Sequence, residues 1–596
     1  MVQLTINGKA VTAEAGTTVI DAARQNHIII PSLCWLEGVH QVGACRICVV
    51  EVEGARNLQA SCMLPVREGM VVRTNTTRVR HARRVLYELM LSDHPRDCLS
   101  CFRNRRCEFQ KLGELIQVDE FRFEGEVSKH FVDDSSPSII RDSSKCILCR
   151  RCITACNQVQ GVGVLNVQKR GFHSFIGPAD LPLNGANCSN CGQCIMVCPV
   201  AALKTKGETH RIWQALNDPK KTTIVQTAPA VRVALGEKFG FAPGTLVTGK
   251  MASALRSIGF DHIFDTNFAA DLTIVEEGHE FLQRAMAALS GKPAVLPMIT
   301  SCSPGWVKYV EHEFPERLDH LSSCKSPHMM LGALSKTYFA EKIGVAPEDI
   351  FVVSIMPCTA KKFEITRPET FHGGLPNVDA VLTTRELVRL INDAGIEFAK
   401  LPDEEFDMPL GMSTGAADLF AVTGGVMEAA LRTVYEVVTG RDVPFAKLEV
   451  TPVRGLERVK EATIVFDKVR PEFAAFEGFA ARIAVTSGLS GAKQLMREIV
   501  AGKSPYHFIE IMGCPGGCIA GGGQPRPTTR AVREARMRGI YAEDAGKPKR
   551  KSHENPFIQQ LYKEFLGEPL GHRSHELLHT TYVKRGRFNE LVGSAV

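Results

Sequence analysis

The chain has 596 residues, too long for a single core, and at ordinary domain sizes it predicts roughly three to five domains. Its 71 basic and 65 acidic residues are interspersed, and a net charge of +6 with no basic stripe of interleaved aromatics excludes a nucleic-acid surface. It is 44% apolar and 23% charged, with no apolar run long enough to span a bilayer and neither a signal-peptide nor a twin-arginine start, so the expectation is a cytoplasmic protein without a membrane partner.

The N-terminal stretch MVQLTINGKAVTAEAG reads as two alternating strands around an Asn-Gly turn. With a helix from Thr18 to Asn26 and further short strands, it predicts a small ubiquitin-like β-grasp domain over residues 1–78. Twenty cysteines in a large chain of this kind are more often metal-binding or catalytic than disulfide-bonded. Most of them precede residue 200, in four clusters. The first is Cys34, Cys45, Cys48 and Cys62, where three thiolates on a tight loop and a fourth returning later suit a plant-ferredoxin-type two-iron centre better than zinc.

The second set, His94, Cys98, Cys101 and Cys107, lies in a predicted segment 79–118. Three thiolates and an imidazole suit zinc and a cubane with one nitrogen ligand equally. The third and fourth sets, in 138–210, are Cys146, Cys149, Cys152, Cys156 and then Cys188, Cys191, Cys194, Cys198 before Pro199. Each is C-x2-C-x2-C-x3-C, the bacterial two-cluster ferredoxin pattern, in which the fourth cysteine of each run ligates the other cluster. Cys146, Cys149, Cys152 and Cys198 therefore belong to one cubane, and Cys188, Cys191, Cys194 and Cys156 to the other. Asn157 stands where the pattern usually has proline, without altering the ligand count. Such a row of centres carries electrons, so function depends on what terminates it.

From about Lys220 short apolar strands (TTIVQTAPAV, FDHIFDT, AVLPMITSC, IFVVSIMPC, DAVLTT, HFIEIMGC) alternate with amphipathic helices, which predicts α/β layers with at least partly parallel sheets. Cys302, Cys358 and Cys514 each lie just beyond a strand, where open α/β sheets bind ligands. Cys518 follows in the glycine-rich CPGGCIAGGGQP, which admits close backbone approach to a bulky group. No dinucleotide fingerprint follows a strand and no Walker loop is present, so flavin and nucleotide chemistry falls to partners.

TSCSPGWV (300–307), MPCTAKKFE (356–364) and EIMGCPGGCIAGGGQP (510–525) resemble the three signature motifs of the iron-only, or [FeFe], hydrogenases, and the upstream clusters match the accessory layout of that family's long forms. The resemblance spans nearly the whole chain and is nearest to the hydrogenase subunit of multi-subunit NAD(P)-linked enzymes. It implies a multidomain α/β and α+β protein: a β-grasp [2Fe-2S] domain, a His/Cys3 [4Fe-4S] domain, a ferredoxin-like domain with two [4Fe-4S] clusters, an α/β catalytic domain (220–535) and a small-subunit-like tail (536–596). Its catalytic group is an H-cluster, a cubane joined through a cysteine to a di-iron unit carrying CO, CN and a bridging dithiolate amine. The resemblance places Cys358, Cys514 and Cys518 on the cubane, with Cys518 bridging. It sets Lys361 toward one cyanide and Ser326 toward the other, and puts Met356, Met512, Ala228, Pro229, Phe420 and Val426 around the di-iron unit. Its proton relay maps onto Cys302, Glu277, Ser322 and Glu280, with Arg284 near the exit. Read without the motifs, Glu277 and Glu280 would be solvated helix-face charges.

The first motif of the family usually carries two adjacent cysteines, a proton donor and then a cubane ligand. Here they are Cys302 and Ser303. Three readings stand: Ser303 ligates as an alkoxide, a harder donor than the cluster prefers; Cys302 moves to ligate; or the cubane is held by a substituted or missing ligand. His328 stands where the family more often has Gln. The implied activity is 2 H+ + 2 e− ⇌ H2, with flavin- and NAD(P)-binding or ferredoxin-like partner subunits, or ferredoxin itself, exchanging the electrons. The alternatives are a non-catalytic iron–sulfur conduit, in which the three late motifs have no use, and an assembly or H2-sensing protein with an altered H-cluster site.

Overall fold

The computed structural model describes residues 1–586 except 121, 129 and 180, so the end of the expected 536–596 tail lies outside the described residues. The chain divides into two compact units. Unit 1 comprises 1–159, 163–186 and 193–204; unit 2 comprises 160–162, 187–192 and 205–596.

Unit 1 opens with β1 (Val2–Ile6) and β2 (Lys9–Ala13), antiparallel from Val2↔Ala13 to Ile6↔Lys9. Asn7 and Gly8 at the turn have φ of 52° and 80°, the pair of left-handed conformations that an Asn-Gly hairpin supplies. The helix α1 (Val19–Gln25) is capped by the Thr18 hydroxyl, which accepts from the Asp21 amide. Strands β3 (Val49–Val52), β4 (Gln59–Ala60) and β5 (Met70–Arg73) complete a sheet of order β2-β1-β5-β3-β4. α1 buries Val19, Ile20, Ala22 and Ala23 in one core with Leu4, Ile6, Val11 and Val72 of that sheet. Helix α2 (Thr77–Ser92) follows, and its buried Arg83 donates to the Ile47 and Val49 carbonyls across 3.0 and 2.8 Å. Helix α3 (Glu108–Leu115) and the short α4 (Arg151–Thr154) and α5 (Gln193–Val197) carry the remaining cysteine segments of this unit.

Unit 2 contains two four-stranded sheets. Its strands are β6 (Thr222–Thr227), β7 (His262–Asp265), β8 (Met298–Ile299), β9 (Ile350–Met356), β10 (Ala380–Thr383), β11 (Val459–Val465), β12 (Ala480–Ser487) and β13 (Phe508–Met512). The first sheet, β7-β6-β9-β10, is parallel throughout. The second, β8-β13-β12-β11, is parallel except for the antiparallel β11–β12 pair, whose strands the apolar runs in the sequence do not announce. β11 is an edge strand with an alternating, half-exposed pattern, which is why it carries no continuous apolar signal. β8 is only two residues long: Pro297 has no N–H to give the ladder, so pairing starts with the Met298 amide donating to the His507 carbonyl.

One helix that matters for the site follows a strand directly, and the others start from loops. α6 (Thr266–Leu289) begins directly after β7, with the Asp265 carboxylate accepting from the Asn267 amide as its cap, and is buried over most of its length. α7 (Pro304–Glu313) and α8 (Pro327–Leu334) each start at a proline, which fits the first helical turn. α9 (Gly425–Thr439), α10 (Arg530–Gly546) and α11 (His572–Leu578) complete this set. The buried Arg536 of α10 forms a two-bonded pair with Glu237 and donates to the Ile519 carbonyl at 2.6 Å, so the tail is anchored beside the last motif. Among the described residues no helix is long and apolar enough to cross a membrane.

Candidate active site and accessory cluster sites

In unit 1, Cys34, Cys45, Cys48 and Cys62 are all buried, with Cys34 touching Cys45 and Cys62 and Cys62 touching Cys48, and the Leu33 and Cys34 amides point at the Cys45 sulfur from 3.4 Å. Backbone N–H groups aimed at a thiolate are what an anionic cluster needs. Around His94, burial and the Lys145 ammonium push the imidazole down to about 4, so it is neutral and able to ligate, and its Nδ1 is buried without a hydrogen-bond partner. Cys98 is exposed and Cys101 and Cys107 half-buried in the same segment. Cys146, Cys149, Cys152 and Cys198 line one cavity, and Cys198 comes from the second run, as the crossed pattern requires. Cys156 and Cys194 lie in unit 1, Cys188 and Cys191 in unit 2. Beside these two, Gly192 adopts φ +70°, and a Cβ there would meet Thr359 Oγ1 at 2.4 Å, so the loop that carries them packs tightly on the catalytic portion.

The catalytic candidates of unit 2 meet where the carboxyl ends of both sheets converge. Ala228 and Pro229 follow β6, Pro357 and Cys358 follow β9, Cys302 and Ser303 follow β8, and Gly513 and Cys514 follow β13. All of them, with Met356, Lys361, Phe420, Met512 and Cys518, line one cavity. Burial pushes the Cys518 thiol up to about 12, with Cys358 adding to it, and Cys302 goes well above the ordinary thiol range through burial and then Glu277. Thiols in such surroundings become thiolates only by binding a cation. Ser326 and Val426 are buried but do not line the cavity; Val426 packs in a core cluster with Phe420 and Met512, and Ser326 Oγ has no hydrogen-bond partner. The pocket also includes Gly517 and Gly521 of the third motif, and Thr266, Ala270 and Pro327, which only the fold could bring in.

Ser303 Oγ accepts a hydrogen bond from the Gly513 amide at 3.0 Å, and a Cβ at Gly513 would lie 2.8 Å from that oxygen and displace it. Lys361 Nζ donates to the Cys302 carbonyl at 3.2 Å and to Glu364 Oε2 at 2.8 Å. The same Glu364 oxygen meets His328 Nε2 at 2.7 Å, and His328 Nδ1 meets Ser354 Oγ at 3.1 Å. Burial opposes ionisation of Glu364, yet Lys361 and His328 hold its carboxyl at about 2. Burial and the Lys361 charge push His328 down to about 4, so it is a neutral hydrogen-bonding residue. Glu364 is the partner the sequence reading missed; its i,i+3 spacing from Lys361 within the second motif was the available signal.

Glu277 and Glu280 are 1% and 7% exposed, buried rather than on a solvated helix face. Burial and then the Glu280 charge raise the Glu277 carboxyl to about 8, against the lowering effect of Ser322 and the Ser301 backbone. Ser322 Oγ donates to Glu280 Oε2 at 2.9 Å, and Arg284 Nη2 donates to Glu280 Oε1 at 2.6 Å. Arg284 also donates to the Leu321 and Asp319 carbonyls, with about a fifth of its side chain exposed. Glu277, Glu280 and Ser322 are thus buried, and Arg284, paired with Glu280, is partly exposed.

Comparison with known proteins agrees with this arrangement. Residues 221–522 match the iron only hydrogenase large subunit, C-terminal domain, and 530–585 the iron hydrogenase small subunit. Upstream, 1–77 match a 2Fe-2S iron-sulfur cluster binding domain, 83–122 the NADH-ubiquinone oxidoreductase-G iron-sulfur binding region, and 145–202 a 4Fe-4S dicluster domain. The chain is 52% identical to the NADP-reducing hydrogenase subunit HndD of Solidesulfovibrio fructosivorans, over 98% of this chain and 100% of that one. It is 39% identical to iron hydrogenase 1 of Clostridium pasteurianum, with the same coverage. A solved variant of [FeFe]-hydrogenase HydA1 from Chlamydomonas reinhardtii superposes with a TM-score of 0.57 at 44% identity, over 63% of this chain and 99% of that one. With its catalytic and small-subunit segments both matched and full-length relatives well above chance, the chain belongs to the iron-only hydrogenases, oxidoreductases acting on H2.

Proposed function

We propose that this chain catalyses 2 H+ + 2 e− ⇌ H2 at an H-cluster in the cavity at the two sheets' carboxyl ends. Electrons then pass through one [2Fe-2S] and three [4Fe-4S] centres to flavin- and NAD(P)-binding or ferredoxin-like partner subunits. The observation that carries this reading is the convergence of Cys302, Ser303, Cys358, Cys514 and Cys518 from three loops onto one cavity. The donor set fits the group: soft sulfur ligands suit iron–sulfur clusters, and Ser326 Oγ is a buried hydroxyl still lacking a partner. Cys358, Cys514, Cys518 and either Ser303 or Cys302 would hold the cubane. When bound, the group supplies a Lewis-acidic iron position and a nearby amine base.

The protein's own part is to position, insulate and move protons. Met356, Met512, Phe420, Ala228 and Pro229 keep the cavity apolar and exclude water. Lys361 contributes a cation held in place by Glu364. Cys302 Sγ carries a proton between the cavity and Glu277. Glu277, protonated at neutral pH with its carboxyl near 8, exchanges it with Ser322 and Glu280. Arg284 pairs with Glu280 at 2.6 Å and orients it toward the exit.

The full-length likeness to a subunit named NADP-reducing supports an NAD(P)-linked, multi-subunit setting. Cysteines grouped as cluster ligands rather than disulfide pairs support a cytoplasmic location. The test is infrared absorption of the anaerobically matured protein in the CO and CN stretching region, before and after H2. Sharp bands that shift with H2 are expected. Their absence after verified maturation would replace the reading by an electron conduit or sensor.

A further inference from the structure

Cys324 is the one cysteine of the chain that neither the accessory centres nor the catalytic motifs use. It is 1% exposed, and its sulfur lies 3.9 Å from Glu280 Oε2. The C-terminal segment runs antiparallel to residues 323–325, with the Lys325 amide donating to the Leu578 carbonyl at 2.7 Å and the Thr580 amide to the Ser323 carbonyl at 2.8 Å. These bonds flank the pair Cys324↔His579, making it a non-hydrogen-bonded antiparallel pair, the kind whose side chains approach most closely. α6 brings Glu280 to the same place. One ligand atom each of Glu280, Cys324 and His579 lies within 4.8 Å of the others, and all three residues are buried.

We propose that Glu280, Cys324 and His579 form a binding site for a soft divalent cation of the zinc type, and that filling it withdraws Glu280 from proton transfer. A thiolate, an imidazole and a carboxylate are the zinc donor set, with bonds of about 2.0–2.3 Å. A tetrahedral ion keeps such atoms about 3.5 Å apart, so side-chain rotations of ~1 Å close the site without moving backbone. The imidazole is already oriented: His579 Nδ1 meets Ser323 Oγ at 2.8 Å and Nε2 meets Glu276 Oε2 at 3.1 Å. Whichever nitrogen turns to the metal, the other keeps a partner that fixes the ring, as metal-bound histidines require. The local field favours a cation, because the Glu276 and Glu280 carboxylates both face Cys324. Arg284 pairs with Glu280 and leaves the Glu276 carboxylate uncompensated by it. His575 is exposed, with its ring centroid 4.3 Å from that of His579, so the site lies one side chain beneath the surface.

Binding releases the Cys324 proton and replaces the Ser322 hydrogen bond at Glu280 Oε2 by a metal bond. Only this second consequence rests on the hydrogenase reading; occupancy does not. The test uses the full-length protein with its clusters loaded, equilibrated with zinc chloride, dialysed and analysed for zinc and iron, with zinc K-edge absorption alongside. At unchanged iron content, wild type is expected to keep one zinc more per chain than Cys324→Ala, with a sulfur neighbour at about 2.3 Å. Saturating zinc is expected to lower H2 turnover about a hundredfold in wild type, reversibly by chelator and with CO and CN bands unchanged, and to leave the variant's own turnover where it was without zinc. His579→Gln serves where Cys324→Ala does not fold. Equal zinc content in wild type and variant, or a zinc shell without sulfur, overturns the site. Zinc bound through sulfur with turnover undiminished overturns the gating and upholds the site. A protein without hydrogenase activity leaves the zinc and K-edge readouts to judge the site on their own.

Discussion

Ser322, fully buried, donates its hydroxyl hydrogen to Glu280 Oε2 across 2.9 Å. A hydroxyl can pass a proton because it donates and accepts together, whereas a methyl group does neither. Ser322→Ala is therefore expected to slow H2 turnover by about 10²-fold or more, the usual worth of a positioned proton-transfer group. The CO and CN bands should stay as in wild type, since Ser322 does not line the cluster cavity. Retained turnover at wild-type rate would mean that protons travel elsewhere.

Glu277 makes a prediction in which stability and activity move in opposite directions. Its folded pKa of about 8 stands above the ordinary 4.5, raised by burial and Glu280. Between those values the native state holds a proton that the unfolded chain has released, so stability falls as pH rises through this window. Glu277→Gln removes that dependence. The variant should be more resistant to denaturant than wild type at pH 8, by at most about 5 kcal/mol, with no advantage below pH 4. Its H2 turnover should fall steeply, because an amide cannot relay a proton. A urea titration at two pH values, paired with gas evolution, checks both halves.

The accessory cysteines and the three catalytic loops were legible because ligand spacing and motif residues are local in sequence. The β1–β2 hairpin was equally plain, since Asn7-Gly8 is itself the turn. The apolar runs located β6, β9, β10 and β13 because strands buried on both faces are continuous in hydrophobicity. The β11–β12 pair gave no such signal, nor did the pocket walls formed by Thr266, Ala270 and Pro327, whose side chains become functional only by position. Burial of Glu277 and Glu280 was legible only through the motif resemblance: their surroundings in EEGHEF are polar, and it is packing of the long helix α6 against its neighbours that takes them out of water. The Cys324–His579 contact spans 255 positions and depends on the tail's course, which no spacing rule reports.

His328 gives a pH effect of the opposite sign. Burial and Lys361 lower its pKa to about 4 from 6.5, so the folded state keeps it neutral while the unfolded chain protonates. Its contribution is present above about 6.5 and is lost as pH falls toward about 4. His328→Gln keeps a donor and an acceptor for Glu364 and Ser354 but cannot take the proton. At pH 5 the wild type should therefore have lost about 2 kcal/mol relative to this variant, compared with their difference at pH 7.5. Thermal melts of the apoprotein at the two pH values would show it; parallel curves would exclude the effect.

Gly517 holds the loop between Cys514 and Cys518 in a shape open to no other residue. Its φ is +93° and a Cβ would lie 2.7 Å from the Thr423 amide nitrogen. Gly517→Ala should displace the loop, and iron per chain should fall by the cubane's share while the accessory clusters, counted by their electron paramagnetic resonance signals, remain. A full iron complement would show that the loop adapts.

Ser303 is the substitution on which the catalytic cluster turns. Its hydroxyl oxygen lines the cavity and accepts the Gly513 amide at 3.0 Å, a hydrogen bond that would equally stabilise an alkoxide facing iron. Were Ser303 the ligand, Cys302 would remain free for protons. Ser303→Ala should then lose cubane iron to a chelator faster than wild type, and should also lose about 1–3 kcal/mol of apoprotein stability through the unpaired Gly513 amide. Ser303→Cys, which supplies the thiolate a cluster prefers, should lose iron more slowly than wild type and shift the cubane's reduction potential. Cys302→Ala should keep its iron and lose turnover. If instead Cys302→Ala sheds the cubane while Ser303→Ala retains it, Cys302 is the ligand, and the proton must reach Glu277 by a route that does not use its sulfur.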